Sequence, residues 1–408
     1  MTAIIGSEQL RAYSTTIRDA LSRHTAKHLA PDSRKSDKPM RRFSVKETAE
    51  ALRVNYSSLR HYLKVMNGLP AGELEAGNRR TFSGEEVHAI QDQLFEAGKI
   101  PLSLYPRKAP GDVTAKLAVY NLKGGVAKTS LTANLAEFLG LRGFRCLIID
   151  LDPQASLSDL FDVSADAQLQ EGDEVVHSIY DILKYDNPVP ITNVIQATYF
   201  PNIDIVPGSM NMTEFEYETS ASYMNGTQQS QPWHRKISNA LRLVEDYYDI
   251  ILFDTPPHMS FAVIAAVASA TGLLVPVSAG MLDVVSLEKF LDLGAGTLEV
   301  VESVEQEKKY DFIRFVLTRY NPNDQAQLQL SSFLRSQLGD AMLQADFLQS
   351  TAIGDGTNTM QPLLEVGPTG VTRKTYDRIF DSLQKIAHEV EAEVMKSWGR
   401  DQKSQGDS

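Results

Sequence analysis

The stretch from Ala118 to Gln154 reads AVYNLKGGVAKTSLTANLAEFLGLRGFRCLIIDLDPQ. The apolar run Leu117–Tyr120 predicts a strand that enters a glycine turn carrying two lysines. A helical segment follows, and a second apolar strand, Cys146–Ile149, ends in two aspartates. This order of elements is typical of a βαβ unit with a phosphate-binding loop at its first turn, and it predicts binding of a nucleoside triphosphate.

The glycine turn contains the residue types that hold phosphate. Gly124 and Gly125 permit a tight turn whose N–H groups can point at phosphate oxygens. The following helix presents its N-terminal dipole to the same anion. We expect Lys128 to reach the β- and γ-phosphates and the Thr129 hydroxyl to ligate Mg²⁺. The predicted nucleotide contacts are Lys123, Gly124, Gly125, Val126, Ala127, Lys128, Thr129, Ser130, Asp150 and Asp254.

The loop departs from the standard pattern G-x-x-x-x-G-K-[ST], whose glycine positions are Leu122 and Ala127 here. It reads K-G-G-x-x-K-T instead, with an additional lysine, Lys123, before the glycines. This is the deviant Walker A form, and it resembles that of the ParA/MinD group of ATPases. The resemblance implies that Lys123 reaches the nucleotide of the other subunit, so that ATP holds a dimer together.

Ala127 replaces the usual glycine. Because alanine is costly at positive φ, the sequence leaves open a right-handed backbone there or a shifted loop.

Two further strands end in carboxylates. The run Asp150–Gln154 (DLDPQ) matches the D-x-D-P-Q motif of the same group, which implies that Asp152 sits by the γ-phosphate and the attacking water, where it can orient or deprotonate the nucleophile. The run Tyr248–Asp254 (YDIILFD) resembles a Walker B strand, in which Asp254 holds Mg²⁺ through water. A lone aspartate after a strand is more often a cap or turn residue. Ligands of parallel sheets, however, bind at the carboxyl ends of strands, where all three motifs lie.

These motifs define the predicted chemistry of the site. The cofactors are expected to be ATP or ADP with Mg²⁺, and the reaction is expected to be a weak intrinsic ATP hydrolysis. The predicted catalytic residues are Lys123, Lys128 and Asp152. The predicted metal ligands are Thr129, Asp152 and Asp254.

Composition agrees with an intracellular enzyme. The 408 residues are enough for two or three domains. The single cysteine, Cys146, is predicted to be a small core residue, and it excludes an intramolecular disulfide. The start MTAIIGSEQLRAYSTT is too polar for a signal peptide. The longest apolar stretch, Phe261–Val277, predicts a buried helix followed by a strand, so we expect a cytoplasmic protein with no membrane partner.

Charge and motifs point to DNA at the amino-terminal end. Residues 1–110 hold 18 Lys and Arg against 12 Asp and Glu, whereas the remainder holds 22 against 40. Ser44 and Glu47 form a predicted capping box, and a second helix is predicted from Tyr56 to Lys64 after a short turn. This spacing resembles a MerR-type winged helix-turn-helix. An ordinary helical hairpin with solvated arginines is the alternative. The predicted DNA contacts here are Ser57, Ser58, Arg60, His61, Arg79 and Arg80.

The rest of the chain alternates strands and helices. This alternation predicts an α/β fold, a mostly parallel P-loop NTPase sheet with helices on both faces, preceded by an all-α or winged helix-turn-helix domain. The polar, Met-rich run Gly208–Gln231 is interpreted as a mobile segment or an interface. The predicted domains are a helical arm and linker (1–40, with a helix over Ser7–His28), a winged helix-turn-helix (41–107), a ParA-type ATPase (108–398) and a disordered tail (399–408).

Further motifs extend the resemblance to nearly the whole chain. They are Ala197-Thr-Tyr-Phe-Pro, Val206-Pro-Gly, Met281-Leu-Asp, Leu317-Thr-Arg-Tyr and Ser350-Thr-Ala-Ile-Gly-Asp. Together they resemble the large ParA-type partition ATPases of plasmids, most closely those of RepABC replicons. The resemblance implies an ATP-dependent homodimer that binds nucleoid DNA non-specifically, is stimulated by a ParB-like (RepB) centromere-binding partner, and represses its own operon through the amino-terminal domain. It also implies a nucleoid-associated location.

The sequence leaves open which surface would bind DNA non-specifically. Arg373 and Lys374, at the start of the last predicted helix, are the preferred candidates, because a helix terminus adds N–H donors for phosphate. The other candidates are Arg319, Arg335 and Arg378, and a solvated helix face is the alternative for each. Three rival functions remain: a MinD-like membrane-cycling ATPase, a nucleotide-sensing transcriptional repressor, and a positioning ATPase for another cargo.

Overall fold

A computed structural model gives the fold. It describes residues 11–17, 20, 40–75, 77, 79–166, 175–224, 232–303, 308–350, 361–366 and 372–400. The chain divides into two compact units, residues 1–39 and 40–408. In the first unit the described residues are helical, and most of the predicted helix Ser7–His28 lies outside them.

The larger sheet of the second unit contains eight strands: β4 (Ala115–Val119), β5 (Cys146–Asp150), β6 (Gln196–Ala197), β7 (Ile203–Val206), β8 (Ile250–Asp254), β9 (Gly272–Ser278), β10 (Phe312–Tyr320) and β11 (Phe347–Leu348). Their order in the sheet is β11-β10-β9-β4-β8-β5-β7-β6. All neighbours in it are parallel except the short β6, which pairs antiparallel with β7. This confirms the predicted mostly parallel sheet.

Helices cover both faces of this sheet, because alternate strand residues point to opposite sides. Leu117 and Val119 of β4 join one buried cluster, and Ala118 joins the other. The helices after the loop are α4 (Lys128–Arg142), α5 (Ser156–Leu160), α6 (Ile179–Leu183), α7 (Met212–Met224), α8 (Lys236–Leu241), α9 (Phe261–Ser269), α10 (Met281–Glu302), α11 (Gln325–Leu338), α12 (Leu363–Val366) and α13 (Arg373–Ser397). Helix α4 is buried over nearly its whole length, since the sheet lies on one side and α13 on the other.

The amino-terminal part of this unit contains helices α1 (Val45–Leu52), α2 (Tyr56–Val65) and α3 (Gly84–Glu96), with the small sheet β1 (Phe43–Ser44), β3 (Arg79–Phe82) and β2 (Glu73–Glu75). The predicted capping box at Ser44 is present: the Ser44 hydroxyl accepts from Glu47 N, and the Glu47 carboxylate accepts from Ser44 N. Arg53, at φ 54°, ends α1 in the left-handed region and starts the turn into α2. The predicted domain boundary near residue 107 stays a prediction.

This amino-terminal part packs against the carboxyl end of α4. His88 Nε2 lies 2.7 Å from Gly140 O, and Gln91 Nε2 donates to Arg142 O at 2.8 Å. Both side chains are buried. They therefore satisfy carbonyl groups that the last turn of a helix leaves without an intrahelical partner.

Two segments that were expected to be irregular contain folded structure. The run 208–231, interpreted as a mobile segment or an interface, includes helix α7 over residues 212–224; buried Met212, Phe215 and Thr219 give this helix an inward face, and residues 225–231 lie outside the described part. Gly399 and Arg400, assigned to the disordered tail, belong to the folded body. Arg400 is buried, donates to Tyr105 O and Arg107 O, and pairs with Asp112. Among the described residues, no helix has the length and apolar character needed to cross a bilayer.

Candidate nucleotide-binding site

Three adjacent strands bring the predicted motifs together. Strand β8 lies between β4 and β5, and Asp254 at its end is level with Val119 of β4 and Asp150 of β5. The loop after β4, the turn after β5 and the end of β8 therefore meet at one edge of the sheet. This is the arrangement expected of a ligand site at the carboxyl ends of parallel strands.

The loop is tight and opens directly into α4. Gly125 has φ 75° and Ala127 has φ 63°, both in the left-handed region. Lys128 is the first residue of α4; its side chain is 7% exposed, and its Nζ donates to Lys123 O at 3.1 Å. Burial lowers the Lys128 pKa, and the carboxylates of Asp254 and Asp152 act in the opposite direction. The Lys128 amine thus reaches across the loop, and a bound anion can replace the Lys123 carbonyl as its hydrogen-bond partner.

Ala127 settles one question that the sequence left open. The backbone is left-handed there, in the region that favours glycine, so the alanine bears the strain. A non-glycine residue in that region costs about 1–2 kcal/mol. The right-handed alternative is therefore wrong, and a shifted loop stays a prediction.

Replacing Ala127 with glycine should relieve this strain and stabilise the folded protein. Ala127→Gly is expected to raise the free energy of unfolding by up to about 1 kcal/mol, because the strain it removes exceeds the added flexibility of the unfolded chain. The matched control Ala133→Gly, in the interior of the same helix, is expected to lower it by about 1 kcal/mol or more. Denaturant titrations measure both. Equal destabilisation by the two variants would contradict a strained Ala127.

Thr129 and Asp254 form the metal side of the site. Thr129 Oγ1 donates to Asp254 Oδ2 at 2.7 Å, and Thr132 Oγ1 donates to Asp254 Oδ1 at 3.2 Å. Burial, together with the nearby Asp150, raises the pKa of Asp254. Burial raises the pKa of Asp150 as well. Two buried carboxylates at neighbouring strand ends repel each other when both are ionised, so a cation bound between the loop and these strand ends would reduce that repulsion.

Removal of the Asp254 charge should stabilise the nucleotide-free protein. Because the folded chain holds the Asp254 proton more tightly than the unfolded chain, this carboxyl favours folding at low pH, and that contribution is lost as pH rises through its raised pKa. Asp254→Asn is expected to be about 1–3 kcal/mol more stable than the parent at pH 8, with the gap closing toward pH 5. Denaturant titrations across this range measure it.

Asp249 provides the control for that series. It is also buried, but its carboxylate pairs with Arg145 and Arg107. Asp249→Asn is expected to destabilise at pH 8, since it leaves two guanidinium groups without their partner. A pH-independent gap for Asp254→Asn, or the same sign for both variants, would count against a charge effect at Asp254.

The two aspartates after β5 have different surroundings. Asp150 is buried, and its carboxylate accepts from Asp152 N, Ser158 N and Ser158 Oγ at 2.8–3.1 Å. These contacts favour a role in shaping the turn, and its predicted nucleotide contact stays a prediction. Asp152 is half-buried, and its Oδ1 accepts from Gln154 N at 2.9 Å. The Asp152 charge acts on Lys128 and opposes the lowering of that amine's pKa by burial.

Lys123 forms an ion pair that the sequence did not reveal. Its Nζ binds Asp283 Oδ1, in the first turn of α10. Helix α10 follows β9, which is the other neighbour of β4. The loop lysine is therefore held within its own chain by an acidic partner from the next strand–helix connection.

The predicted DNA residues are exposed except for Ser58, which is half-buried. Arg60 and His61 of α2 are exposed, as are Arg79 and Arg80 of β3, whereas Ser57 Oγ is bound to the N-cap residue Asn55. Arg373 and Lys374 are the exposed first residues of α13. Their DNA contacts stay predictions.

The remaining basic candidates are placed differently. The guanidinium of Arg335 is engaged by Leu343 O, Gln344 O and Asp346, so a free DNA-facing role does not fit it. Arg378 donates to Gln349 O at 3.4 Å. Arg319 contacts the phosphate loop through Gly125 O.

Comparison with known proteins places the chain in a family. A family model described as an AAA domain matches residues 114–313. A Rhizobium rhizogenes protein named "Putative replication protein A" is 34% identical over 384 residues, which cover 94% of this chain and 94% of that protein. SopA of Escherichia coli K12 is 25% identical over 377 residues, 88% of this chain and 92% of its own. A solved structure named "Partition Protein" shares the fold with a TM-score of 0.60 at 17% identity, and the match covers 95% of this chain and 99% of that one. The similarity to replication protein A over nearly the full length confirms the predicted family: the chain belongs to the ParA family of partition ATPases, in the RepABC type.

Proposed function

We propose that this protein is an ATP-hydrolysing plasmid partition protein. The observation that carries the proposal is the meeting of the deviant Walker A loop, the turn after β5 and Asp254 at one sheet edge, in a chain of the ParA family. Lys128 and the first N–H groups of α4 would hold the phosphates. Asp152 would orient the attacking water, since it is a half-buried carboxylate whose charge acts on that lysine.

ATP or ADP with Mg²⁺ fits the residues present. Among the described residues, no cluster of three His, Cys, Asp or Glu side chains could hold a metal ion alone. Mg²⁺ ordinarily takes one or two protein ligands and completes its octahedron with phosphate oxygens and water. The Thr129 hydroxyl beside the Asp254 carboxylate offers such a partial set. When bound, the metal would neutralise charge on the transferring phosphoryl group.

An ATP-dependent homodimer is the second element of the proposal. For Lys123 to reach a nucleotide in a partner subunit, its amine must leave Asp283. We therefore expect Lys123→Ala to abolish ATP-dependent dimerisation, whereas Asp283→Asn should increase the dimer fraction at limiting ATP. Sedimentation velocity with ATP, ADP and no nucleotide measures both. A Lys123→Ala protein that dimerises like the parent would rule out this role.

DNA binding and autorepression complete the proposal. The exposed side chains of α2 and the β2–β3 hairpin support operator recognition by a winged helix-turn-helix. The exposed Arg373 and Lys374 at the start of α13 support non-specific binding to the nucleoid. A ParB-like centromere-binding protein would stimulate hydrolysis and release the dimer from DNA.

Duplex binding without nucleotide, with ADP and with ATP tests this function. The probes are the upstream region of its own gene and an unrelated duplex, each at several salt concentrations. The proposal predicts tight upstream binding with ADP and salt-sensitive binding to any duplex only with ATP. Upstream binding alone would favour a nucleotide-sensing repressor. No binding in any state would overturn the DNA proposal and favour another cargo.

A further inference from the structure

Strand β10 ends in an irregularity beside the phosphate loop. Thr318 pairs with Phe347 of β11, and Tyr320 pairs with Leu348, so Arg319 between them is the extra residue of a β-bulge. Arg319 has φ 52°, in the left-handed region, where a long side chain is strained. Bulges next to sites redirect a side chain, and here the redirected group is a guanidinium.

That guanidinium contacts the phosphate loop. Arg319 Nη1 donates to Gly125 O at 2.9 Å, and the preceding residue, Thr318, donates through Oγ1 to Val126 O at 3.0 Å. Thr318 is fully buried, whereas Arg319 is exposed. Two successive carbonyls of the loop are thus held by two successive side chains of one strand end.

The planarity of the peptide bond determines which way the N–H groups of the phosphate loop point. In a planar trans peptide, the C=O and N–H groups point in opposite directions. Fixing Gly125 O and Val126 O toward β10 therefore turns the N–H groups of Val126 and Ala127 away from it. Successive N–H groups aimed to one side form the kind of concavity that binds phosphate oxygens.

We propose that Arg319 is a positioning residue for nucleotide binding, which with Thr318 fixes the orientation of two phosphate-loop peptides before the nucleotide arrives. This inference rests on the proposed nucleotide site and adds a residue to it. It assigns Arg319 to the loop instead of to non-specific DNA. The bulge is then the backbone device that lets an exposed arginine at a strand end reach a loop carbonyl.

Three variants at position 319 distinguish the effect of the guanidinium from the effect of the strained backbone. Arg319→Ala should weaken binding of fluorescent ATP and ADP analogues about five- to tenfold, because a hydrogen bond from a charged donor is lost. Arg319→Lys should recover part of this affinity, since its amine can donate to one carbonyl. Arg319→Gly should bind as weakly as the alanine variant yet melt at or above the temperature of the parent, because glycine relieves the positive φ.

Arg314 provides the matched control. It lies on the same strand and its guanidinium binds Glu393, away from the loop. Arg314→Ala should leave nucleotide affinity within about twofold of the parent.

Several outcomes would overturn the inference. Parent-like nucleotide affinity in Arg319→Gly and Arg319→Ala would do so, and a selective loss of unrelated-duplex binding in these variants would make Arg319 a DNA contact. Equal losses of affinity in Arg314→Ala and Arg319→Ala would show general destabilisation. A parent protein that binds no nucleotide would overturn both the inference and the proposed site, whereas unaffected variants of a binding parent would overturn the inference alone.

Discussion

Asp152→Ala is expected to retain nucleotide binding and to lose ATP hydrolysis by a factor of about 100 or more. A positioned carboxylate that orients or deprotonates the nucleophile contributes about 10²–10⁴-fold to such reactions. Affinity should change little, since the phosphate contacts of Lys128 and the α4 terminus are untouched. Phosphate release under saturating ATP, paired with an equilibrium titration of a fluorescent ATP analogue, measures the two effects separately.

The local structure around Asp152 suggests a sharper control. Its carboxylate also accepts a hydrogen bond from Gln154 N, so the alanine variant removes a turn contact as well as a charge. Asp152→Asn keeps an oxygen for that turn but cannot act as a base. We expect both variants to be inactive. Turnover by Asp152→Asn at the parent rate would show that Asp152 only shapes the turn.

Glu391→Gln is expected to destabilise the protein by about 3–5 kcal/mol. Glu391, 2% exposed on α13, pairs with Arg142 at the end of α4 at 3.1 Å and with Arg53 in the turn between α1 and α2 at 2.7 Å. Removing the charge of one partner leaves two largely desolvated guanidinium groups uncompensated. Burial, together with both arginines, lowers the pKa of nearby His388 to about 4, so that histidine supplies no additional positive charge near neutral pH.

Glu393, on the same helix, is the matched control for this effect. Its carboxylate pairs with Arg314 at 2.6 Å, and both side chains are about one-fifth exposed. Glu393→Gln should cost about 1 kcal/mol or less, because solvent screens the pair. Denaturant midpoints of the two variants give the comparison. Similar losses for both would mean that the buried Arg53–Glu391–Arg142 network contributes no more than a surface pair.

The sequence predicted those features of the fold that depend on local pattern. The apolar run Cys146–Ile149 is a strand within one residue of its predicted ends, and the stretch Phe261–Val277 forms helix α9 followed by strand β9, as predicted. Helix α7 was missed because its apolar residues do not follow a clear helical period, and only Met212, Phe215 and Thr219 are buried. Tertiary contacts with neighbouring helices stabilise such a segment more than its own periodicity does.

In the candidate site, too, some residues could be predicted from local sequence pattern and others could not. Loop and strand-end residues follow a recognisable spacing, and the structure places Thr129 against Asp254, which lie 125 positions apart in the sequence. Asp283 and Arg319 could not be predicted as parts of the site, because their contacts depend on which strands neighbour β4 and on a bulge. A signal for Arg319 was its place at the end of an apolar run, but that pattern fits a solvated arginine equally well.

The most direct test of the account is the titration of a fluorescent ATP analogue, with and without Mg²⁺, into the parent protein and Lys128→Ala. Loss of the buried amine that spans the loop should weaken Mg²⁺-dependent binding about 100-fold or more, while circular dichroism shows an intact fold. Equal affinity of a folded Lys128→Ala protein, or binding by the parent that is indifferent to Mg²⁺, would contradict an ATP·Mg²⁺ site at the ends of β4, β5 and β8.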